Sequence, residues 1–226
     1  MFPKLRHNPR RFTLAAFVLL CGAGSAHGQT SANLSLLSAY AARGVALDTR
    51  PVLQLRVEHD AAAGWYVGGF ASPVRLEGRS GSQLIAYGGR AQRISPTITL
   101  DAGITRSAFP RSSQFDYSEL HVGLLMGRAS ARLFYSPRYY GEGRSVYLDL
   151  NDAYPLTDNV SLAVHAGLRR PFGEYRDATG DGGDLRAALA TRTKGYLLQA
   201  GLQKTWHPYL PAAPAPAFTA SVSRQF

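Results

Sequence analysis

The sequence lacks the features that define several large protein classes. Its 226 residues contain a single cysteine, Cys21, so a disulfide framework or a cysteine-based metal site is excluded. After residue 28, no stretch holds the about 18 consecutive apolar residues that a membrane-spanning helix needs. The helical periodicity of apolar residues is also missing there. The sequence therefore argues against disulfide-rich and helical membrane proteins.

The first 28 residues have the organisation of a secretory signal peptide. An uncharged apolar run over residues 12–21 is followed by small residues over 22–28. We expect cleavage after Gly28, with Ala26 as the alternative site, so that residues 29–226 form one mature domain. The basic start contains four cations: Lys4, Arg6, Arg10 and Arg11.

Removal of this leader lowers the basic excess of the chain. The whole sequence has 25 Lys and Arg against 15 Asp and Glu, and the leader holds four of the cations and no acid. Export routes the chain away from nucleic acid, which leaves outer-membrane lipid, lipopolysaccharide and small solutes as expected partners. Lipidation at Cys21 is not expected, because Leu20 is bulky for the residue before an acylation site.

Apolar and polar residues alternate with a period of two over stretches of about ten residues. The clearest stretch is 97–105, where Ile98, Leu100 and Ile104 alternate with polar residues, and 160–169 and 198–205 repeat the pattern. Strands that cross a bilayer need about 9 to 11 residues, whereas soluble sheets usually use about 5 to 6. The alternation therefore predicts membrane-spanning strands.

We predict an all-β fold, a closed antiparallel transmembrane β-barrel of about 12 strands. Short connections, such as 94–96 and 127–128, alternate with longer ones, such as 44–51 and 170–184, as in bacterial outer-membrane barrels. The predicted strands are 32–42, 52–59, 65–76, 83–93, 97–107, 117–126, 129–136, 145–154, 160–169, 185–193, 196–206 and 217–226. Aromatic residues predicted to form interfacial girdles are Tyr40, Trp65, Tyr66, Tyr135, Tyr154, Trp206 and Phe226.

Charged residues on the polar strand faces are predicted to line the interior. They are Arg56, Glu58, Arg90, Asp101, Glu119, His121, Arg132, Asp149, His165 and Arg169. Charges of both signs can pair across a small barrel, so a plugged lumen and a narrow water-filled pore both fit this pattern. If a pore is open, exchanging Arg132 or Arg169 for Glu should change ion preference more than stability.

Catalytic and metal-binding patterns are weak. Glu119 and His121 lie two apart on one strand face and could form an acid–base pair, with His165 on another strand, but no serine lies in a G-x-S-x-G elbow. The spacing of Asp177, Asp181 and Asp184 does not fit an EF-hand. We expect no enzyme activity, cofactor or metal. Cations near this Asp-containing loop that could meet lipopolysaccharide phosphates or anionic solutes are Arg170, Arg176 and Arg186.

Several blocks of the sequence resemble the TorF family of proteobacterial porins, through nearly the whole mature chain. The opening block is 31–34 with Ser38, Tyr40, Arg43 and Gly44, followed by Gly-Trp-Tyr-Val-Gly-Gly-Phe-Ala-Ser at 64–72. Phe70 departs from this pattern, which has Trp at that place, and so does the Pro-Ala stretch 208–216. The middle blocks are 117–123, 135–137, 147–149 and 165–167.

This resemblance implies a barrel in the Gram-negative outer membrane with channel activity, and it implies no particular substrate. The end of the chain, an alternating strand over 221–226 closed by Phe226, resembles the signal that the barrel-insertion machinery recognises. We expect a narrow, monomeric porin for passive diffusion of small hydrophilic solutes. The alternatives are a plugged structural or adhesive surface barrel and an outer-membrane lipid hydrolase.

Overall fold

Twelve strands form a closed antiparallel barrel in the computed structural model, which describes residues 28–174, 176, 180–208 and 215–226. The all-β fold and the strand number predicted from the sequence are confirmed. The signal peptide, apart from Gly28, and Asp177 lie outside the described residues. The barrel strands are β1 (Gln29–Leu37), β4 (Val52–Asp60), β5 (Trp65–Leu76), β6 (Arg79–Arg93), β7 (Ile98–Ala108), β8 (Tyr117–Met126), β9 (Ala129–Ser136), β10 (Ser145–Pro155), β11 (Val160–Pro171), β12 (Gly182–Thr193), β13 (Tyr196–Trp206) and β14 (Phe218–Gln225).

Among these described residues, no helix is both long enough and apolar enough to span a membrane.

The first and last strands close the barrel. β1 pairs with β14 through Ser35 opposite Ser223, and with β4 through Asn33 opposite Arg56. Beyond β14, the Phe226 N–H donates to the Ala32 carbonyl at 2.8 Å, which extends the seam to the final residue. Among the described residues, closure leaves no barrel strand with an unpaired edge, which is the condition for a sheet that faces hydrocarbon.

The two ends of the barrel differ in their connections. At the end that holds both chain termini, here called the turn end, neighbouring strands are joined by short turns, such as Gly127 with Arg128 and Lys194 with Gly195. The opposite end, here called the loop end, carries longer segments, including two 3₁₀ turns at Ser113–Phe115 and Tyr139–Gly141. One connection there is short, because β5 and β6 run on to a tight turn at 77–78.

Glycines on the inward face make room for tyrosines that lie against the wall. A Cβ at Gly68 would overlap the Tyr87 ring, and a Cβ at Gly89 or Gly103 would come within 3.0 Å of the Tyr66 hydroxyl. These glycines therefore relieve side-chain crowding inside the barrel, as expected for glycine within a strand.

The segment after β1 differs from the prediction of a single strand over 32–42. β1 ends at Leu37, and the chain turns inward to form the hairpin β2 (Tyr40–Ala42) and β3 (Val45–Asp48), which pair with each other and with no barrel strand. The turn contains Arg43 and Gly44, both at positive φ. The hairpin is therefore attached to the wall by side chains rather than by the barrel's hydrogen-bond ladder.

Apolar packing holds this hairpin in the loop-end mouth of the barrel. Val45 and Leu47 are fully buried in a cluster with side chains from the wall and from the loop-end connections. Burial of such side chains favours the inward position by about 1.5–3 kcal/mol each. The other buried members of the cluster are Val74, Leu76, Phe109, Phe115, Tyr117, Tyr139 and Tyr140.

Candidate functional site: the barrel interior

The tip of the hairpin contacts the barrel wall opposite its own base. The Arg43 guanidinium forms an ion pair with Glu119 of β8. It also lies 4.1 Å from the ring centre of Phe134 on β9 and 4.9 Å from that of Tyr147 on β10. With Glu119 only 3% exposed, this is a largely desolvated pair reinforced by two cation–π contacts.

A second cluster lies on the inward face of β5 to β9. The Tyr66 hydroxyl donates to Asp101 Oδ1 at 2.8 Å, and Arg132 Nε donates to Asp101 Oδ2 at 2.9 Å. His121 Nε2 lies 3.1 Å from the Tyr66 hydroxyl and 3.5 Å from Asp101 Oδ2. Asp101 is 0% and Arg132 3% exposed, so this cluster fills its part of the lumen.

A third cluster surrounds His165 on β11. Its Nε2 lies 2.8 Å from Asp184 Oδ2, and its Nδ1 lies 2.9 Å from Asn151 Oδ1 and 3.4 Å from Asp149 Oδ1. The Tyr147 hydroxyl donates to the other Asp184 oxygen at 2.9 Å. Tyr147 therefore joins this cluster to the hairpin tip.

The remaining predicted interior residues also face inward. Arg56 lies 5.5 Å from the ring centre of Phe70, and Glu58 accepts a 2.7 Å hydrogen bond from the Tyr87 hydroxyl. Arg169 donates to the backbone carbonyl of His207 at 2.9 Å, which ties β11 to the loop after β13. Nine of the ten predicted residues thus lie inside the barrel, distributed over separate clusters.

Arg90 is the exception, and its prediction as an interior residue is wrong. It pairs across strands with Trp65 and Ala102, both of which face outward, and its guanidinium lies 5.7 Å from the Trp65 ring. A long cation near a strand end can extend its charged group beyond an apolar surface, so the position tolerates charge. The inward residues of β6 are instead the odd-numbered positions, such as Gln83, Tyr87 and Gly89.

Two of the aromatic residues predicted for the girdles also lie elsewhere. Tyr66 faces inward in the Asp101 cluster. Tyr40 lies on the hairpin, where its hydroxyl donates to Gln83 at 2.9 Å. Both hydroxyls have a hydrogen-bond partner inside the barrel. A tyrosine at the membrane interface would find that partner in the lipid headgroups instead.

The candidate acid–base pair is not formed. Glu119 contacts Arg43, whereas His121 and His165 lie in different clusters and, among the described residues, neither bonds to a serine. Asp184 faces the lumen and Asp181 lies in the exposed loop, so these two acids do not converge. Within the described part of the chain, no group of three His, Cys, Asp or Glu residues could hold a metal ion.

Sequence reasoning missed the residues that connect these clusters. The sequence singles out Arg43 only through the family resemblance, because its contact with Glu119 spans 76 residues of sequence. Tyr147 and Asp184 could have been found from strand parity, because Tyr147 shares the inward parity of Asp149 and Asp184 that of Arg186.

Residues 21–187 match the family model described as "Bacterial protein of unknown function (Gcw_chp)". No curated protein matches the sequence.

Solved porin structures share the fold. The KdgM porin aligns with a TM-score of 0.55 at 10% identity, covering 87% of this chain and 98% of that one. The NanC porin aligns with a TM-score of 0.57 at 10% identity, covering 86% of this chain and 98% of that one. A structure titled "KdgM porin in complex with disordered oligogalacturonate" aligns with a TM-score of 0.51 at 9% identity, covering 87% and 97%. At these identities the likeness shows the fold alone.

Proposed function

The chain belongs to the Gcw_chp family of bacterial proteins of unknown function, and we propose that it is a narrow outer-membrane channel for small hydrophilic solutes, restricted by the β2–β3 hairpin. The proposal includes export by the signal peptide over residues 1–28, membership of the TorF porins that the sequence resembles, and insertion through Phe226. It describes a monomeric, non-enzymatic protein of the Gram-negative outer membrane.

The outer surface of the barrel supports a membrane location. Leucine, valine and isoleucine side chains project from every strand, and Leu120 and Ile104 are 57% and 55% exposed. A soluble monomer rarely exposes a continuous apolar patch larger than a few hundred Å². A belt around a closed barrel is instead the surface that hydrocarbon would cover.

Arginine–aromatic pairs support the proposal that the turn end lies at one membrane interface. Three such pairs face outward at the turn end, where an aromatic ring and a cation together suit lipid headgroups. They are Arg90 with Trp65 at 5.7 Å, Arg128 with Tyr154 at 4.5 Å, and Arg224 with Tyr196 at 5.4 Å.

Outward cations at the loop end support a contact with lipopolysaccharide. They stand above the apolar belt, where lipid phosphates would meet them. These residues are Arg75, Arg106, Arg170 and Lys204.

The observation that carries the channel proposal is the position of the hairpin. It lies across the mouth of a polar-lined barrel without belonging to the wall, so it can move without breaking the barrel's hydrogen bonds. The KdgM and NanC structures with the same fold are described as porins. A loop that narrows a polar lumen restricts passage to small solutes.

A sealed structural or adhesive barrel is the second candidate. Its support is the burial of interior charges, since Asp101, Glu119 and Arg132 are shielded from solvent by their partners. Charges that are fully paired in a closed interior stabilise a filled barrel and conduct nothing.

Conductance in planar bilayers separates the two candidates. The refolded mature chain is compared with a variant in which residues 40–48 are replaced by a short Gly-Ser linker. A channel restricted by the hairpin gives small steps in the wild type and larger steps in the variant. If both proteins fold, as seen from heat-modifiable migration, and both stay electrically silent, the channel proposal fails in favour of the sealed barrel.

A further inference from the structure

A small cavity lies between the hairpin and the wall formed by β12, β13 and β14. Ala39 and Ala41 border it on the hairpin side, and Arg186, Gln199 and Ser221 are among the wall residues that line it. Its volume is about 40 Å³. Since one water needs at least about 10–15 Å³, there is room for about three waters or for one small ion with two to four heavy atoms.

The polar groups around this cavity include hydrogen-bond donors, and no carboxylate lies among its lining residues to accept from them. Within the described chain, no hydrogen bond or ion pair reaches the Arg186 guanidinium. The Gln199 Nε2 is buried and also has no hydrogen-bond partner there. The hydroxyls of Ser221 and Thr219 add two further donors, and no carboxylate lines the cavity.

The acids nearest in sequence and register have other partners. Asp184 precedes Arg186 by two residues on the same face of β12, but its two oxygens are bonded to Tyr147 and His165. His165 is the cross-strand neighbour of Arg186 and is itself held by Asn151 and Asp184. The Arg186 charge is therefore not neutralised by direct contact.

We propose that this cavity is a binding site for a small monovalent carboxylate, of the size of formate or acetate, with Arg186 as its principal ligand. Arginine presents two parallel N–H donors that fit the two oxygens of a carboxylate, and the Gln199 amide and Ser221 hydroxyl complete a set of donors around it. The inference deepens the proposed channel, since an occupied site inside the lumen would make it selective for organic anions.

Binding is tested on the folded, detergent-solubilised chain without reference to conductance. The probe is ¹³C-labelled acetate, whose NMR line broadens when it exchanges onto the large protein–detergent particle, and unlabelled formate competes for the site. Arg186→Gln should weaken acetate binding by about tenfold or more, the loss expected for a charged hydrogen-bond pair. Arg93→Gln is the matched control, because Arg93 has the inward parity of β6 but lies at the turn end, away from the cavity.

Conductance under a potassium acetate gradient gives the second reading. Two results together support the site and the channel. Acetate broadening is saturable and is removed by Arg186→Gln but not by Arg93→Gln, and Arg186→Gln also lowers the anion preference of the conductance. Acetate binding in an electrically silent barrel keeps the site and overturns the channel. Conductance without Arg186-dependent acetate binding keeps the channel and overturns the site, and loss of both refutes both.

Discussion

Replacing Arg43 by methionine tests whether the hairpin tip is held by its ion pair. The substitution keeps a long, unbranched side chain but removes the charge that contacts Glu119 and lies over Phe134 and Tyr147. Glu119 then remains buried with no cation beside it. The docked position of the hairpin should lose stability relative to an undocked one in which Glu119 is hydrated.

The expected size follows from the burial of the pair. Removing one partner of a buried ion pair costs about 3–5 kcal/mol. We take the lower value of about 3 kcal/mol, because the Arg43 side chain is 19% exposed and is partly screened by solvent. At about 1.4 kcal/mol per factor of ten, the ratio of undocked to docked hairpin should rise about 100-fold.

The second substitution of the cycle is Glu119→Gln, made in the Arg43→Met background. It removes the buried charge that the first change leaves unpaired, so a large part of the lost docking free energy should return. A variant that merely loosens the barrel would gain nothing from this second change. The cycle therefore reports on the pair itself.

The assay is single-channel recording of the mature chain, with the fraction of time in the higher-conductance state as the readout. Arg43→Met should raise this fraction strongly, and the double variant should lower it again. Arg93→Gln is the control, because Arg93 has the inward parity of β6 but lies at the turn end, away from the hairpin. If Arg43→Met folds and leaves the recordings unchanged, the hairpin tip is not a latch and the reasoning is wrong.

Three further changes test other parts of the interior. The sequence predicts that Arg132→Glu changes ion preference more than stability, but the buried contact of Arg132 with Asp101 reverses this expectation. The change should destabilise the barrel by about 3–5 kcal/mol, because it sets two carboxylates together; a lower heat-modification midpoint checks this, and a change in ion preference alone would contradict it. Gly89→Ala should cost about 1–3 kcal/mol through overlap with the Ala102 carbonyl and the Tyr66 ring, whereas Gly69→Ala, with its nearest contact at 3.8 Å, should leave the midpoint unchanged. Hydrogen bonds from Arg50 lower the pKa of the Asp48 carboxyl. The contact between Asp48 and Arg50 therefore stabilises the hairpin base fully above the usual carboxyl pKa, and this stabilisation is lost as the pH falls through the lower folded pKa. Conductance should rise only below about pH 4, and Asp48→Asn should abolish that rise.

Most of the wall could be predicted from the sequence because lipid and lumen impose opposite demands on alternate residues. Residues 97–105 and 160–169 alternate cleanly, and β7 and β11 face as that alternation predicts. The prediction of Arg90 as an interior residue was wrong because the alternation of apolar and polar faces weakens near a strand end, where an outward arginine can reach the interface. At such positions a polar side chain does not have to face the interior.

The hairpin could not be predicted because its surroundings are assembled from distant parts of the chain. Residues 40–48 read as the end of a strand followed by an external loop, and their apolar residues match nothing nearby in sequence. Their packing partners lie on β5, on β8 and in two loop-end turns. Long-range packing of this kind overrides local strand preference, so period-two alternation alone does not reveal it.

The size of the inward side chains decides where a path past the hairpin can lie. Tyrosine, phenylalanine and arginine side chains from β5 to β10 fill one side of the lumen, as Tyr66, Arg132 and Phe134 do. On β12 and β13 the inward residues include Ala188 and Gly201, and the cavity beside Arg186 opens there. Because Ala39 and Ala41 form the other side of that cavity, movement of the hairpin would widen the same gap that Arg186 lines. In the proposed channel, the Arg43 contact and the donors at Arg186 would therefore act on one path, the first setting its width and the second the charge of what enters.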